Sequence, residues 1–177
     1  MKRLLAVAAG IGLVVALTPP ANSAAASDTK VTLFPINETD QLQTHSWVQC
    51  ARPPTCNFTA GVQLQTPDGM AGFPQQLWAR QTTEVRSSKR SAYLDVHADG
   101  GPFTKVFKEG GTAVLQTIYN GAGPPEKYQT NGIIDVFDVS TGQPKTDANV
   151  IVCAHVQVVY PGVNLTTPDT CAQTTFS

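Results

Sequence analysis

Apolar and polar positions alternate along most of this chain. The longest such run outside the N-terminus, residues 149–160, reads Asn-Val-Ile-Val-Cys-Ala-His-Val-Gln-Val-Val-Tyr. Val150, Val152, Ala154, Val156, Val158 and Tyr160 fall on one face, and Ile151, Cys153, His155, Gln157 and Val159 on the other. A period of two predicts a strand with one apolar and one mixed face. Cys153 and His155 share the mixed face. A bridge from Cys153 therefore belongs outside the main core row or closes a second layer, and His155 reads as a packed structural residue.

Residues 45–65 carry the clearest register. Two strands flank Cys50-Ala-Arg-Pro-Pro-Thr-Cys56. If the cysteines oppose each other, Gln49 faces Asn57, Val48 faces Phe58 and Trp47 faces Thr59. Phe58, Ala60, Val62 and Leu64 then share the face that holds both cysteines, and His45 lies beside Trp47 on the outward face. Alternation, register and cross-link agree. Residues 31–36 read as a short strand, with Pro35 placing it at an edge. Thr66-Pro-Asp-Gly reads as a turn, and one helical turn is expected around 75–79. Residues 77–86 and 91–98 read as strands closed into a hairpin by 87–90. Leu77, Ala79, Thr83 and Val85 would face inward with Ala92, Leu94, Val96 and Ala98. Residues 103–108 and 112–120 read as another hairpin, whose inner face the pattern leaves open. Strands at 133–139 and 171–176 follow, with a loop over 161–169.

Short strands separated by regular turn signals, with no long helical pattern, predict an all-β fold. The expected architecture is an antiparallel β-sandwich, immunoglobulin-like or related, with a β-barrel as second choice. Residues 27–177 form a single domain on this reading.

The N-terminus reads differently. Lys2 and Arg3 precede an apolar run over 4–17, then Pro19, Pro20 and small residues. That is the pattern of a secretory signal peptide over 1–26, cleaved after Ser23 or Ala26. The run is about 14 residues, against the roughly 20 that a membrane span needs. No transmembrane segment is expected after cleavage. The chain is therefore expected to be secreted, extracellular or held in the cell envelope. The four cysteines all lie in the remaining part, as disulfides would in an oxidising compartment. Cys50–Cys56 and Cys153–Cys171 are the favoured pairs. Cys50-x5-Cys56 is looser than zinc spacing and lacks a second ligand pair.

Without Lys2 and Arg3, the basic side chains are fewer than the thirteen acidic ones and are scattered. Nucleic-acid binding has no electrostatic support; the short cluster Arg86–Arg90 reads as a solvated turn. There is no Gly-x-Ser-x-Gly elbow. The three histidines lack a spaced nucleophile and acid. Asp95, His97 and Asp99 alternate and point one way, as an oxygen/nitrogen metal site requires, but a polar outer face explains them as well. No metal or other cofactor is assigned. Asn37, Asn57 and Asn164 each begin an Asn-x-Thr sequon, a glycan acceptor in a eukaryotic secretory pathway.

One surface remains. Under the hairpin register, Trp78, Arg80 and Glu84 would lie beside Tyr93, Asp95 and His97 on one outer sheet face. Aromatics with arginine are enriched at recognition sites. The competing reading packs Trp78 under a loop, or both Trp47 and Trp78 between the sheets. The expectation is an exported, non-enzymatic protein that binds a protein, glycan or envelope component. The alternatives are a small hydrolase using Glu84 with Asp95, and a protease inhibitor presenting Arg52 on the loop between Cys50 and Cys56.

Overall fold

Alternation in the sequence becomes alternation of burial in the structure. A computed structural model describes residues 26–99, 103–109 and 111–176. These contain β1 (Ala26–Pro35), β2 (Gln41–Arg52), β3 (Thr55–Thr66), β4 (Gly69–Ala71), β5 (Trp78–Arg86) and β6 (Ala92–Asp99). Then come β7 (Thr104–Glu109), β8 (Thr112–Asn120), a 3₁₀ turn (Pro125–Tyr128), β9 (Gln129–Asp138), β10 (Asn149–Tyr160), β11 (Val163–Thr166) and β12 (Thr170–Thr175). The expected signal peptide lies almost wholly outside the described residues. Ala26 already pairs with Cys50 at the start of β1, so cleavage after Ser23 would leave that strand whole.

Two antiparallel sheets form a sandwich. The first has the order β1-β2-β3-β9-β6, with β4 added to β3; the second has β11-β10-β5-β8-β7, with β12 also on β10. The β2–β3 register is the expected one, with Cys50 opposite Cys56, Val48 opposite Phe58 and Trp47 opposite Thr59. Both disulfides, Cys50–Cys56 and Cys153–Cys171, are formed. In β10 the Val150, Val152, Val156 and Val158 row is fully buried, while the Cys153–Cys171 bridge lies on the other face. The β7–β8 hairpin forms as expected, and Ala113, Leu115 and Tyr119 take its inner face.

The structure corrects one pairing. β5 and β6 do not form a hairpin: β5 lies between β10 and β8, whereas β6 pairs with β9 in the opposite sheet. The inward phase of both strands is nevertheless as read, because Ala79, Val85, Leu94 and Val96 are all buried. Period-2 patterning reports which face a residue takes and is silent about which strand lies alongside. The crossover is held by Asn149, whose Oδ1 accepts the Ser88 N–H at 3.0 Å and the Ser88 hydroxyl at 2.7 Å. Two smaller differences follow. Residues 75–79 form no helix: a single turn closed by the Leu77 N–H on the Pro74 carbonyl at 3.1 Å leads straight into β5. Residues 163–166, expected in a loop, form β11, which returns along β10 through a Pro161–Gly162 turn. Gly162 takes φ +83° there, a conformation open to glycine.

The core is divided. One apolar cluster gathers Val48, Phe58, Val85, Leu94, Leu115, Ile134 and Val150 around the buried Cys50–Cys56 bridge. The other gathers Leu42, Val62, Phe73, Leu77, Tyr119, Tyr128, Val156 and Val158. Between them, on strand after strand, the buried positions are polar: Thr44 and Ser46 on β2, Gln81 and Thr83 on β5, Thr117 on β8, Thr130 on β9. Ser46, Gln81, Thr117 and Thr130 bond across the sandwich. Gln81 Nε2 donates to the Ala60 carbonyl at 3.0 Å. Thr130 Oγ1 lies 2.9 Å from both Thr117 Oγ1 and Tyr119 Oη. Ser46 Oγ donates to the Thr170 carbonyl at 2.8 Å. A buried hydroxyl or amide left unpaired would cost about 1–3 kcal/mol, so the belt favours one relative placement of the sheets.

Two predictions follow from the belt. The Thr44 hydroxyl is buried with no partner among the described residues. Thr44→Val exchanges it for a methyl of the same shape and is expected to stabilise the fold by about 1 kcal/mol, read by chemical denaturation. Burial pushes the Tyr119 hydroxyl up to about 12 from its ordinary 10.0. A phenol raised on folding stabilises fully below its unfolded pKa, and that contribution is lost as pH rises from 10 through 12. Burial raises Tyr128 and Tyr160 as well. Stability should therefore fall in this alkaline window. Tyr119→Phe should flatten the fall by on the order of 2 kcal/mol, measured as unfolding free energy against pH.

Candidate functional site

Because β5 and β6 lie in opposite sheets, the six candidate surface residues are divided between the two outer faces. Tyr93, Asp95 and His97 project from β6 on the first sheet. Trp78, Arg80 and Glu84 project from β5 on the second. Neither tryptophan is packed between the sheets: Trp47 is on the outer face of β2, partly covered, and Trp78 is exposed on β5.

On the second sheet the polar side chains bond to one another. Arg80 Nη2 donates to Gln157 Oε1 at 3.3 Å, Arg86 Nε lies 2.9 Å from Glu84 Oε1, and His155 Nδ1 lies 2.8 Å from Asp169 Oδ1. His155 is thus a partly exposed surface residue hydrogen-bonded to Asp169, where a packed residue was expected. Glu84, Arg86, His155, Asp169, Thr82 and the Cys153–Cys171 bridge enclose a small concavity of about 130 Å³.

The first sheet presents a larger and more apolar concavity, about 380 Å³, lined by Tyr93, Phe137, Asp138, Val139 and Gly142. Tyr93 and Phe137 are directly opposed on β6 and β9. Tyr93 is 43% exposed and Val139 64%. The wall formed by residues 139–145 is tied down by its own backbone. Asp138 N–H donates to the Gln143 carbonyl at 2.8 Å, and Lys145 N–H to the Val136 carbonyl at 3.0 Å. The Asp138 carboxylate accepts from Ser140 Oγ at 2.5 Å and Lys145 Nζ at 3.1 Å. The Ser140 hydroxyl foremost, then Lys145, hold that carboxyl well below its usual range. Asp138 therefore fixes the wall and has little capacity left for a ligand.

Beside the concavity, Asp95 directly opposes Asp135 across the β6–β9 pair. Each carboxylate is engaged. Lys108 Nζ and His97 Nε2 donate to Asp95, the latter at 3.1 Å. Thr55 Oγ1 donates to Asp135 at 2.6 Å. The Lys108 ammonium, followed by His97, holds Asp95 below its ordinary pKa, the reverse of what a general acid needs. Glu84 and Asp95, the carboxylate pair expected for a hydrolase, are on opposite faces and cannot flank one bond. Among the described residues no group of three or more His, Cys, Asp or Glu side chains is placed to hold a metal ion. Arg52, the residue expected for an inhibitor, ends β2 opposite Thr55. The Pro54 carbonyl accepts from Val136 N–H at 2.9 Å, so this tip is a closed turn tied to β9 and not an extended segment.

Phe137, Val139 and the His155–Asp169 pair were not among the candidates. The first two were within reach, because Ile133, Asp135, Phe137 and Val139 alternate in the sequence, although β9 itself ends at Asp138 and Val139 opens the turn after it. The His155–Asp169 contact joins two elements and leaves no local signal. No protein-family model, curated protein or solved structure matches the chain. No helix among the described residues is long and apolar enough to cross a membrane.

The Asp95 cluster carries its own test. Lys108→Met removes the largest cause of the lowered carboxyl. The Asp95 pKa, followed by NMR titration of the side-chain carboxyl, should rise toward the ordinary value, and the unfolding midpoint at neutral pH should change little.

Proposed function

We propose that the chain is an exported, non-enzymatic binding domain that recognises a glycan or protein component outside the cell. The binding face is the outer surface of the first sheet, centred on Tyr93, Phe137 and Val139. The observation that carries this reading is the concavity itself. Its apolar walls are exposed at Tyr93 and Val139, its loop wall is braced by Asp138, and fixed polar groups (Asp95, His97, Asp135) stand beside it. Apolar contact area with a few convergent polar groups is the usual make-up of a ligand site, and a braced wall lowers the ordering cost of binding. Export is supported by the N-terminal sequence pattern and by two disulfides in a chain with no free cysteine among the described residues.

The second sheet's face supports a site less well. Arg80, Glu84 and His155 are already bonded to neighbours, so a ligand would have to displace those partners. Trp78 and Arg80 therefore serve as the comparison. Replacing Tyr93 and Val139 together by Ala should weaken capture of the chain by envelope glycan or protein fractions by roughly tenfold or more. Replacing Trp78 and Arg80 together should leave capture unchanged. Both pairs are surface changes, so circular dichroism should show the fold intact. The opposite pattern of loss would move the site to the second sheet.

A further inference from the structure

β7 is an edge strand that is largely exposed on both faces. Five of its six residues are exposed. Among the described residues it pairs with β8 alone. Thr104, Val106 and Lys108 are on its inward side, since their β8 partners Thr117, Leu115 and Ala113 are buried. Yet Val106 is 39% exposed, because the first sheet ends at β6 and β7 overhangs it. On the outward side Phe107 is 52% exposed, and Phe103, just before the strand, 60%. An overhanging, aromatic-rich edge strand is a template for another strand.

We propose that β7 pairs antiparallel with β7 of a second copy of this chain, joining the two β7-containing sheets into one continuous sheet. The charges on the strand select both the partner and the register. A two-fold axis perpendicular to the sheet keeps each outward face outward, so only residues of like parity can oppose each other. Centring the axis on Lys105 or Lys108 sets two ammonium groups against each other. Centring it on Val106 sets Lys105 against Phe107. Centring it on Phe107 sets Lys105 against Glu109 of the second copy, and Glu109 against its Lys105. The two phenyl rings then meet on the axis. Cross-strand opposite charges and aromatic pairs each stabilise a sheet, whereas directly opposed like charges destabilise it. Lys108 does not conflict with this register, because its ammonium is turned to Asp95. Such a strand addition is isologous: each copy gives and receives the same contacts.

The test is sedimentation equilibrium of the mature chain from about 1 μM to about 1 mM, with charge reversals. The unmodified chain should dimerise. Lys105→Glu alone, or Glu109→Lys alone, should weaken dimerisation by roughly tenfold or more, since each turns two attractive pairs into two repulsive ones. The double reversal should restore it. Circular dichroism checks that each variant keeps its β-structure, as expected for exposed positions. A chain that stays monomeric across the range, a dimer indifferent to either single reversal, or a double reversal that fails to restore pairing would each overturn the proposal.

Discussion

A belt of hydrogen bonds through the middle of the core sets the relation between the two sheets. Apolar contacts are tolerant of small slides, since one methyl surface resembles another. The belt is not tolerant in that way. Gln81 must reach the Ala60 carbonyl, Thr130 must meet both Thr117 and Tyr119, and Ser46 must reach the Thr170 carbonyl. Each bond runs from one sheet to the other, and sliding either sheet would leave these groups buried and unpaired. The penalty for that is larger than the net gain from any one bond made. The belt thus acts chiefly by excluding alternatives, in keeping with the high stakes of a buried polar network.

The belt's position also explains the division of the apolar core. One cluster is built around the Cys50–Cys56 bridge. The other closes on Phe73, Tyr119 and Tyr128, whose rings meet edge to face, with centroids 4.9 Å apart for Phe73–Tyr128 and 5.9 Å for Tyr119–Tyr128. Gly132 marks how tightly the first cluster is filled. A side chain there would bring a Cβ within 2.5 Å of the Phe58 ring and onto the His97 carbonyl. At the seams, single polar contacts join the edges. Gln173 N–H donates to Asp28 at 2.9 Å between β12 and β1, and Lys108 reaches Asp95 between β7 and β6.

Much of this was legible in the sequence, and the exceptions share a cause. The β2–β3 hairpin could be read to single-residue register because the cysteines, the turn and the alternation all constrain the same few residues. The buried Val row of β10 was legible for the same local reason. The β5–β6 relation was not. Its connection, Ser87-Ser-Lys-Arg90, lacks the Asn-Gly or Asp-Gly pair that favours a two-residue hairpin turn, and that absence was the available warning. What places β5 and β6 in different sheets is remote: Asn149 holding Ser88, and the partners that each strand finds in β10, β8 and β9. Gln81 is a subtler case. A polar residue in an otherwise apolar row looks like a break in the pattern, but it is a member of the belt, supplied with partners from two other strands, Ala60 on β3 and Tyr119 on β8, and from Thr83 on its own.

The same remoteness governs the candidate site. Residues two apart on one strand were correctly grouped, so Tyr93, Asp95 and His97 do share a face. Joining them to Trp78, Arg80 and Glu84 required a pairing that the fold does not make. Once the two sets are separated, their environments differ in kind. The polar groups on the second sheet are bonded among themselves, and that face behaves as finished surface. On the first sheet the polar groups are held in fixed positions while the adjacent Tyr93 ring and Val139 stay bare. Bare apolar area next to oriented polar groups is what a partner can cover with a gain in free energy, because little has to be rearranged or unpaired first. It follows that the division of the six residues sharpens the reading we propose: the face of Tyr93, Asp95 and His97, and not that of Trp78, Arg80 and Glu84, is the one with capacity left for contact.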